Sequence, residues 1–264
     1  MASSASPISK RTFEVAKGVP SLRAGEGNSF LLRRLHSLTG IVPIGAFLVE
    51  HFISNSEATK GALAYNDQVK FLTGLPFVSV LEWVFIFIPI LYHALYGFYI
   101  WYRGESNVGE YPWTGNWLYT SQRWTGAIAF VYIVYHTYYM RFTGVDLHAD
   151  PNASFGKVQQ EVMHTAQFLF YVVGLVAASW HFAYGIWLFS AKWGIVSGDK
   201  AQKRLLRVCL GFFLVLCGAG FASLYSFRSH PVQDVGTGGA IVDARHGTPP
   251  RTPPAKTSDG RPVR

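Results

Sequence analysis

Five long apolar stretches, at about 32–54, 76–101, 117–140, 160–190 and 204–227, alternate with polar segments along this chain. Each is long enough to cross about 30 Å of hydrocarbon as an α-helix. A helix satisfies its own backbone hydrogen bonds in lipid, so the pattern predicts an all-α integral membrane protein with five transmembrane helices. Residues 1–29 are polar and rich in Gly and Ser; they read as an N-terminal extension. Residues 228–264 are rich in Pro and Gly, including Thr248-Pro-Pro-Arg-Thr-Pro-Pro254, and are expected to be a disordered tail. Between them lies a membrane domain over 30–227. The extension has no apolar core of a secretory signal, so the first span is expected to act as its own targeting signal.

Composition and charge sharpen this picture. Of 264 residues, half are hydrophobic, 16% are aromatic and 14% are charged, with a net charge of +8. Water-soluble domains carry nearer a quarter charged residues. The basic residues flank apolar stretches, so the excess reflects orientation and anionic lipid, and nucleic acid is not an expected partner. With the N-terminus cytoplasmic, twelve basic residues fall on the cytoplasmic side. Four, Lys60, Lys70, Arg141 and Lys157, fall in the outer loops, and six more lie in the outward tail, of which only Arg228 and Arg245 are near a span. Cys209 and Cys217 lie on one predicted helix about 12 Å apart, too far to bridge, and read as packing residues.

Four histidines lie deep inside the apolar stretches, away from the ends where His36 and His164 sit: His51, His93, His136 and His181. An imidazole in the membrane is costly without a partner. Alternating spans put His51 and His136 near the outer ends of spans one and three. His93 and His181 fall in the inner halves of spans two and four. At 1.5 Å per residue the two levels differ by roughly 15–20 Å. A haem iron clamped by two axial imidazoles satisfies each pair, so the spans are expected to form a bundle holding two b-type haems. Zinc or non-haem iron would want Cys or carboxylate ligands, and apart from Glu161 at the edge of the fourth stretch, Glu50 and Glu82 are the only acids within spans. Gly97, Gly185, Gly40 and Gly174 lie near the faces of these histidines and offer room for a flat ring; ordinary small-residue helix packing is the plainer account.

Other residues gather at the two ends. Arg33, Arg34, His36 and Ser37 open span one, Arg123 lies in the inner part of span three, and Lys192 follows His181 by eleven residues. They are candidates for haem propionates or a quinone carbonyl, the alternative being a positive-inside anchor that snorkels to lipid phosphate. Glu82 precedes His93 by eleven residues on the same face and is the proton-handling candidate. Glu50 and Asp67 read as acids reaching water, His148, His230 and His246 as solvated, and His164 as interfacial. The chain also repeats itself. Tyr92-His93-Ala-Leu-Tyr-Gly97 matches Trp180-His181-Phe-Ala-Tyr-Gly185, and Leu38-Thr-Gly40 matches Trp124-Thr-Gly126. Spans one and two thus recur as spans three and four.

The segment from Phe30 to His51 resembles the start of the cytochrome b558 anchors of succinate dehydrogenase and the related fumarate reductases. So do Leu81-Glu82, Pro89-Ile-Leu-Tyr-His93-Ala-Leu-Tyr-Gly97, Asn116-Trp-Leu-Tyr, Gln122-Arg123-Trp-Thr-Gly126 and His181-Phe-Ala-Tyr-Gly185. The resemblance covers roughly residues 28–227 and is to the five-helix, two-haem type of Gram-positive and related bacteria. It implies a subunit of the bacterial cytoplasmic membrane. A flavoprotein carrying FAD and an iron–sulfur subunit would dock on its cytoplasmic face, and quinone, commonly menaquinone, would exchange the electrons. It also implies His93 with His181 on the inner haem and His51 with His136 on the outer. Succinate chemistry would belong to the partners. The di-haem anchors of formate dehydrogenase or hydrogenase share the four-histidine logic. A haem-free transporter relaying protons is the alternative from another class.

Overall fold

The computed structural model describes residues 26–104 and 108–233. Nine α-helices make up this part: α1 (Glu26–Ile41), α2 (Pro43–Ser56), α3 (Ala62–Thr73), α4 (Val78–Leu81), α5 (Ile88–Arg103), α6 (Thr114–Thr137), α7 (Ser154–Met163), α8 (Thr165–Lys192) and α9 (Asp199–Ser229). No β-strand occurs among the described residues. The N-terminal extension up to residue 25, His246 and the Pro- and Gly-rich tail from 234 lie outside them.

Among the described residues four segments are long and apolar enough to cross a membrane: Ser29–Lys60, Val78–Arg103, Thr165–Lys192 and Asp199–Ser229. The predicted stretch 117–140 corresponds to α6, whose 24 residues run on into a π-helical turn over Tyr138–Phe142. It has the length, but Asn116, Thr120, Ser121, Gln122, Arg123 and Thr125 make its first half polar and leave it outside that group of four. The first span bends at Val42, where Pro43 has no N–H to continue the ladder. A π-helical turn over Glu82–Phe87 precedes Pro89 in the second and loosens the helix where the proline would otherwise clash.

Contacts between ends define two faces. Trp193, just past α8, donates to Ser37 of α1 at 3.0 Å, and Trp187 donates to the Gln202 carbonyl of α9 at 3.0 Å; this is termed the inner face. α3 and α7 lie at the opposite, outer face. These two helices were not foreseen. The stretch expected to span from residue 160 instead breaks at the extended His164, and residues 154–163 form a separate amphipathic helix.

The densest packing in the described chain is in this outer cap. Ala58, Tyr65, Phe155, Val158, Val162 and Phe227 are buried together, and Tyr65, Phe155 and Phe227 meet ring to ring at 4.8–6.0 Å. Burying each large apolar side chain here removes it from water and is worth about 1.5–3 kcal/mol. Within the spans the order is reversed. Leu91, Leu95, Val173 and Leu214 point outward and are exposed, the arrangement a lipid-facing surface requires. Two amides stitch the cap together. Asn66 accepts from the Phe155 amide at 2.8 Å. Gln159, buried between helices, donates to the carbonyls of Phe227 at 2.9 Å and His230 at 3.0 Å and accepts from the Gln233 amide at 2.8 Å. Gln159→Leu leaves those backbone groups unpaired and is expected to cost about 1–3 kcal/mol. A lowered melting temperature of the purified protein in detergent checks it; an unchanged one would show that water takes over the bonds.

Candidate functional site

His93 on α5 and His181 on α8 face each other with ring centres 6.0 Å apart and planes at 88°. Each is tied to a neighbouring helix in the same way. His93 Nδ1 lies 2.9 Å from the carbonyl oxygen of His36 on α1, and His181 Nδ1 lies 3.0 Å from that of Gln122 on α6. A carbonyl only accepts, so both rings carry their proton on Nδ1 and keep the Nε2 lone pair free. The Thr39 hydroxyl donates to the same His36 carbonyl at 2.9 Å, and the Thr125 hydroxyl reaches the Gln122 carbonyl at 3.3 Å. The next residue is a glycine in both cases. A Cβ on Gly40 would stand 2.5 Å from His93 Cε1, and one on Gly126 2.7 Å from His181 Cε1. The repeated Thr-Gly is therefore a seat for the imidazole of the other helix. This corrects the expected role of Gly40, which does not make room beside His51. Gly174 likewise admits the ring of Tyr132, while Gly97 faces His36 and Gly185 faces the Gln122 side chain.

The second pair lies toward the outer face. His51 on α2 and His136 on α6 have ring centres 5.7 Å apart at 77°. Phe47 packs on His51, and Tyr132 stacks on His136 at 5.5 Å. Among the described residues no cluster of three or more His, Cys, Asp or Glu side chains could hold a bare metal ion. A pair of imidazoles suits a metal that brings its other donors with it, as a porphyrin does. Two metal–imidazole bonds of about 2 Å each, together with the two ring radii, come close to both separations. The donor set and its spacing thus fit an axially ligated haem at each level.

The inner end is cationic. Arg33, Arg34 and Lys192 act on one another as like charges, which an anion between them would relieve. The Arg34 guanidinium lies over Phe30 at 5.0 Å and Trp193 at 4.8 Å, and Ser37 Oγ accepts the Trp193 indole N–H. Arg123 folds back onto Tyr119, 4.2 Å from the ring, and is hydrogen-bonded to its hydroxyl. The His36 ring stacks on His93 at 4.1 Å. His36 Nδ1 and Gln122 Oε1, at equivalent places in the repeat, are buried without a hydrogen-bond partner. Such atoms beside a histidine pair are where a ligand's polar groups would be received.

At the outer end Glu82 accepts from Arg141 Nε at 3.3 Å and lies 3.0 Å from His148 Nε2, while Asp146 stands 4.0 Å from Arg141. His148 is thus held by a carboxylate from 66 residues away and is not simply solvated. Glu50 takes the Ser54 hydroxyl, and Ser54 Oγ takes the Gln68 amide at 3.0 Å, so Glu50 is part of a chain of hydrogen bonds leading to α3. His164 is exposed, as expected of an interfacial residue, whereas His230 packs edge-on against Phe155. Lys157 caps the end of the π-helical turn after α6, donating to the carbonyls of Met140, Thr143 and Val145 at 2.7–3.0 Å. Burial lowers its amine from the ordinary lysine value, partly offset by Asp146. Cys209 and Cys217 are buried free thiols, in keeping with packing roles.

Comparison with known proteins meets this geometry. Residues 105–220 match the family model described as the succinate dehydrogenase/fumarate reductase transmembrane subunit. The succinate dehydrogenase cytochrome b558 subunit of Bacillus subtilis (strain 168) is 36% identical over 198 residues, which is 75% of this chain and 96% of that protein. The chain belongs to the succinate dehydrogenase/fumarate reductase membrane-anchor family. Membership makes it a multi-pass membrane protein and sets aside both the formate dehydrogenase or hydrogenase anchors and the transporter. The segment matched by the family model carries α6 and α8, the two helices that supply Gln122, Gly126, His136 and His181. Gly126→Ala, which forces the His181 ring off its carbonyl, is expected to destabilise the anchor by about 1–3 kcal/mol. Gly115→Ala, with nothing within 4 Å of its added methyl, is the control. Equal melting temperatures for the two variants would refute the seat.

Proposed function

We propose that this anchor passes electrons between an iron–sulfur subunit and quinone, with His93 and His181 holding an inner b-type haem and His51 and His136 an outer one. The observation that supports this most directly is the pair of imidazole separations, 6.0 and 5.7 Å, with no cluster of three or more ligand side chains among the described residues to hold a bare ion instead. Bound there, the haems supply two one-electron carriers in series between the partner clusters and quinone. The chain's own residues do the rest. The carbonyls of His36 and Gln122 fix the inner imidazoles as neutral Nδ1–H tautomers with Nε2 turned inward. Arg33, Arg34, His36, Ser37, Arg123 and Lys192 are the inner-end residues offered to propionates or a quinone carbonyl, Ser37 and Arg123 by exchanging their present bonds to the Arg34 carbonyl and the Tyr119 hydroxyl. Glu82 and His148 share a hydrogen bond at the outer end and are placed to hold and hand on a proton as quinone is oxidised or reduced.

The same reading places the N-terminus in the cytoplasm, where the basic residues concentrate. A flavoprotein with FAD and the iron–sulfur subunit bind that face, and menaquinone is the quinone of choice. Anchors purified with their partners are expected to contain two haems per chain, by pigment extraction and reduced-minus-oxidised spectra. His51→Ala or His136→Ala should remove one haem and leave most of the complex assembled; His93→Ala or His181→Ala should remove the other with greater loss of assembly. A single haem in the unaltered chain, or loss of both from every variant, would refute the two-pair assignment.

A further inference from the structure

His136 differs from the inner histidines in what faces its Nδ1. The partner is a side chain, the Tyr171 hydroxyl on α8, at 3.3 Å. Tyr171 is only 3% exposed. Its ring is met edge-on by Tyr132 at 5.4 Å and by His136 at 5.7 Å. Tyr132 in turn stacks on His136 at 25° and reaches α8 only because residue 174 is glycine, where a Cβ would run into the Tyr132 ring. None of these rings can swing without displacing the others, so the hydroxyl is held in one place.

A hydroxyl both donates and accepts, so two tautomers satisfy this contact. In one, Tyr171 donates to Nδ1 and the histidine proton sits on Nε2. In the other, Nδ1–H donates to the Tyr171 oxygen and the Nε2 lone pair is left free, beside the His51 ring 5.7 Å away. Only the second leaves His136 able to bind a metal on that side. We propose that Tyr171 is a positioning residue for His136: it accepts Nδ1–H, leaves the Nε2 lone pair free beside His51 and sets the electron affinity of the outer iron apart from that of the inner one. This rests on the assignment of His51 and His136 as a haem pair. An acceptor on Nδ1–H raises the basicity of the ligand and so favours the oxidised iron. The inner ligands take their acceptors from the backbone, which no side-chain change removes. The outer one can be altered alone.

The test is Tyr171→Phe in the assembled complex, read by haem content and by redox titration of each haem. The outer transition is the one missing from His51→Ala. Tyr171→Phe is expected to retain both haems, raise the outer midpoint and leave the inner one in place; Tyr132→Phe, which removes a hydroxyl from the same ring cluster, should move neither. Selective loss of the outer haem would equally support the positioning role. Unchanged midpoints, an equal shift of both, or failure of the whole subunit to assemble would overturn it, because a hydroxyl that serves one ring is dispensable to the fold. An unaltered complex with fewer than two haems would overturn the haem assignment itself, so the two failures are distinguishable.

Discussion

Two backbone carbonyls, those of His36 and Gln122, carry the arrangement on which the inner site depends. Each belongs to one helix and accepts an imidazole N–H from another. In lipid there is no water to take that proton, and an unpaired buried donor costs about 1–3 kcal/mol. The bond therefore does three things together. It removes the cost of placing a histidine in the membrane, it locks α1 to α5 and α6 to α8, and it selects the tautomer that leaves Nε2 free. Gly40 and Gly126 are required because the ring must come within contact of the backbone to reach the carbonyl, and any Cβ would hold it off. Structure and ligand chemistry are met by the same atoms.

That His51 lies beside His136 and His93 beside His181 was legible because alternating spans fix depth; that the His36 ring also stacks on His93 was not. The Thr-Gly repeat was visible too, but its purpose was not. One-dimensional reading assigns a glycine to the histidine on its own helix, whereas Gly40 serves His93, 53 positions away in sequence and adjacent only in space. The same limit hid the Glu82–His148 contact. α3 and α7 escaped notice for another reason: in a chain with so much apolar sequence, a short amphipathic helix reads as loop or as the start of the next span. The polar first half of α6 marks the opposite case. Ser121, Gln122 and Arg123 lower its apolarity because that stretch supplies the carbonyl, the buried amide and a cation at the inner level.

Stability and site chemistry are divided between regions. The membrane-facing surfaces gain nothing from hiding apolar groups from water, since lipid is as apolar as the side chains. The close-packed aromatic core sits instead in the outer cap, where water is present and burial is favourable. Gln159 joins that cap to the end of α9, Lys157 joins it to the turn after α6, and Asn66 ties α3 to α7 within it. The cap thereby steadies the ends of α6, α8 and α9, while helix contacts inside the bilayer are left to hydrogen bonds and to glycine-seated rings.

The repeat makes the two halves of the inner level alike, each imidazole meeting a backbone carbonyl, whereas at the outer level His136 meets a side chain, and the difference has a physical consequence. An acceptor drawn from the backbone is insensitive to sequence, so the two inner imidazoles stay equivalent whatever side chains change nearby. An acceptor drawn from a side chain is adjustable one atom at a time. On the proposed reading, electrons traversing this chain meet one site whose ligand basicity is set by the fold and another whose basicity is set by Tyr171. A series of two carriers needs a defined difference in electron affinity between them. Placing the adjustable acceptor at the outer level puts that difference at the same end of the bundle as Glu82 and His148.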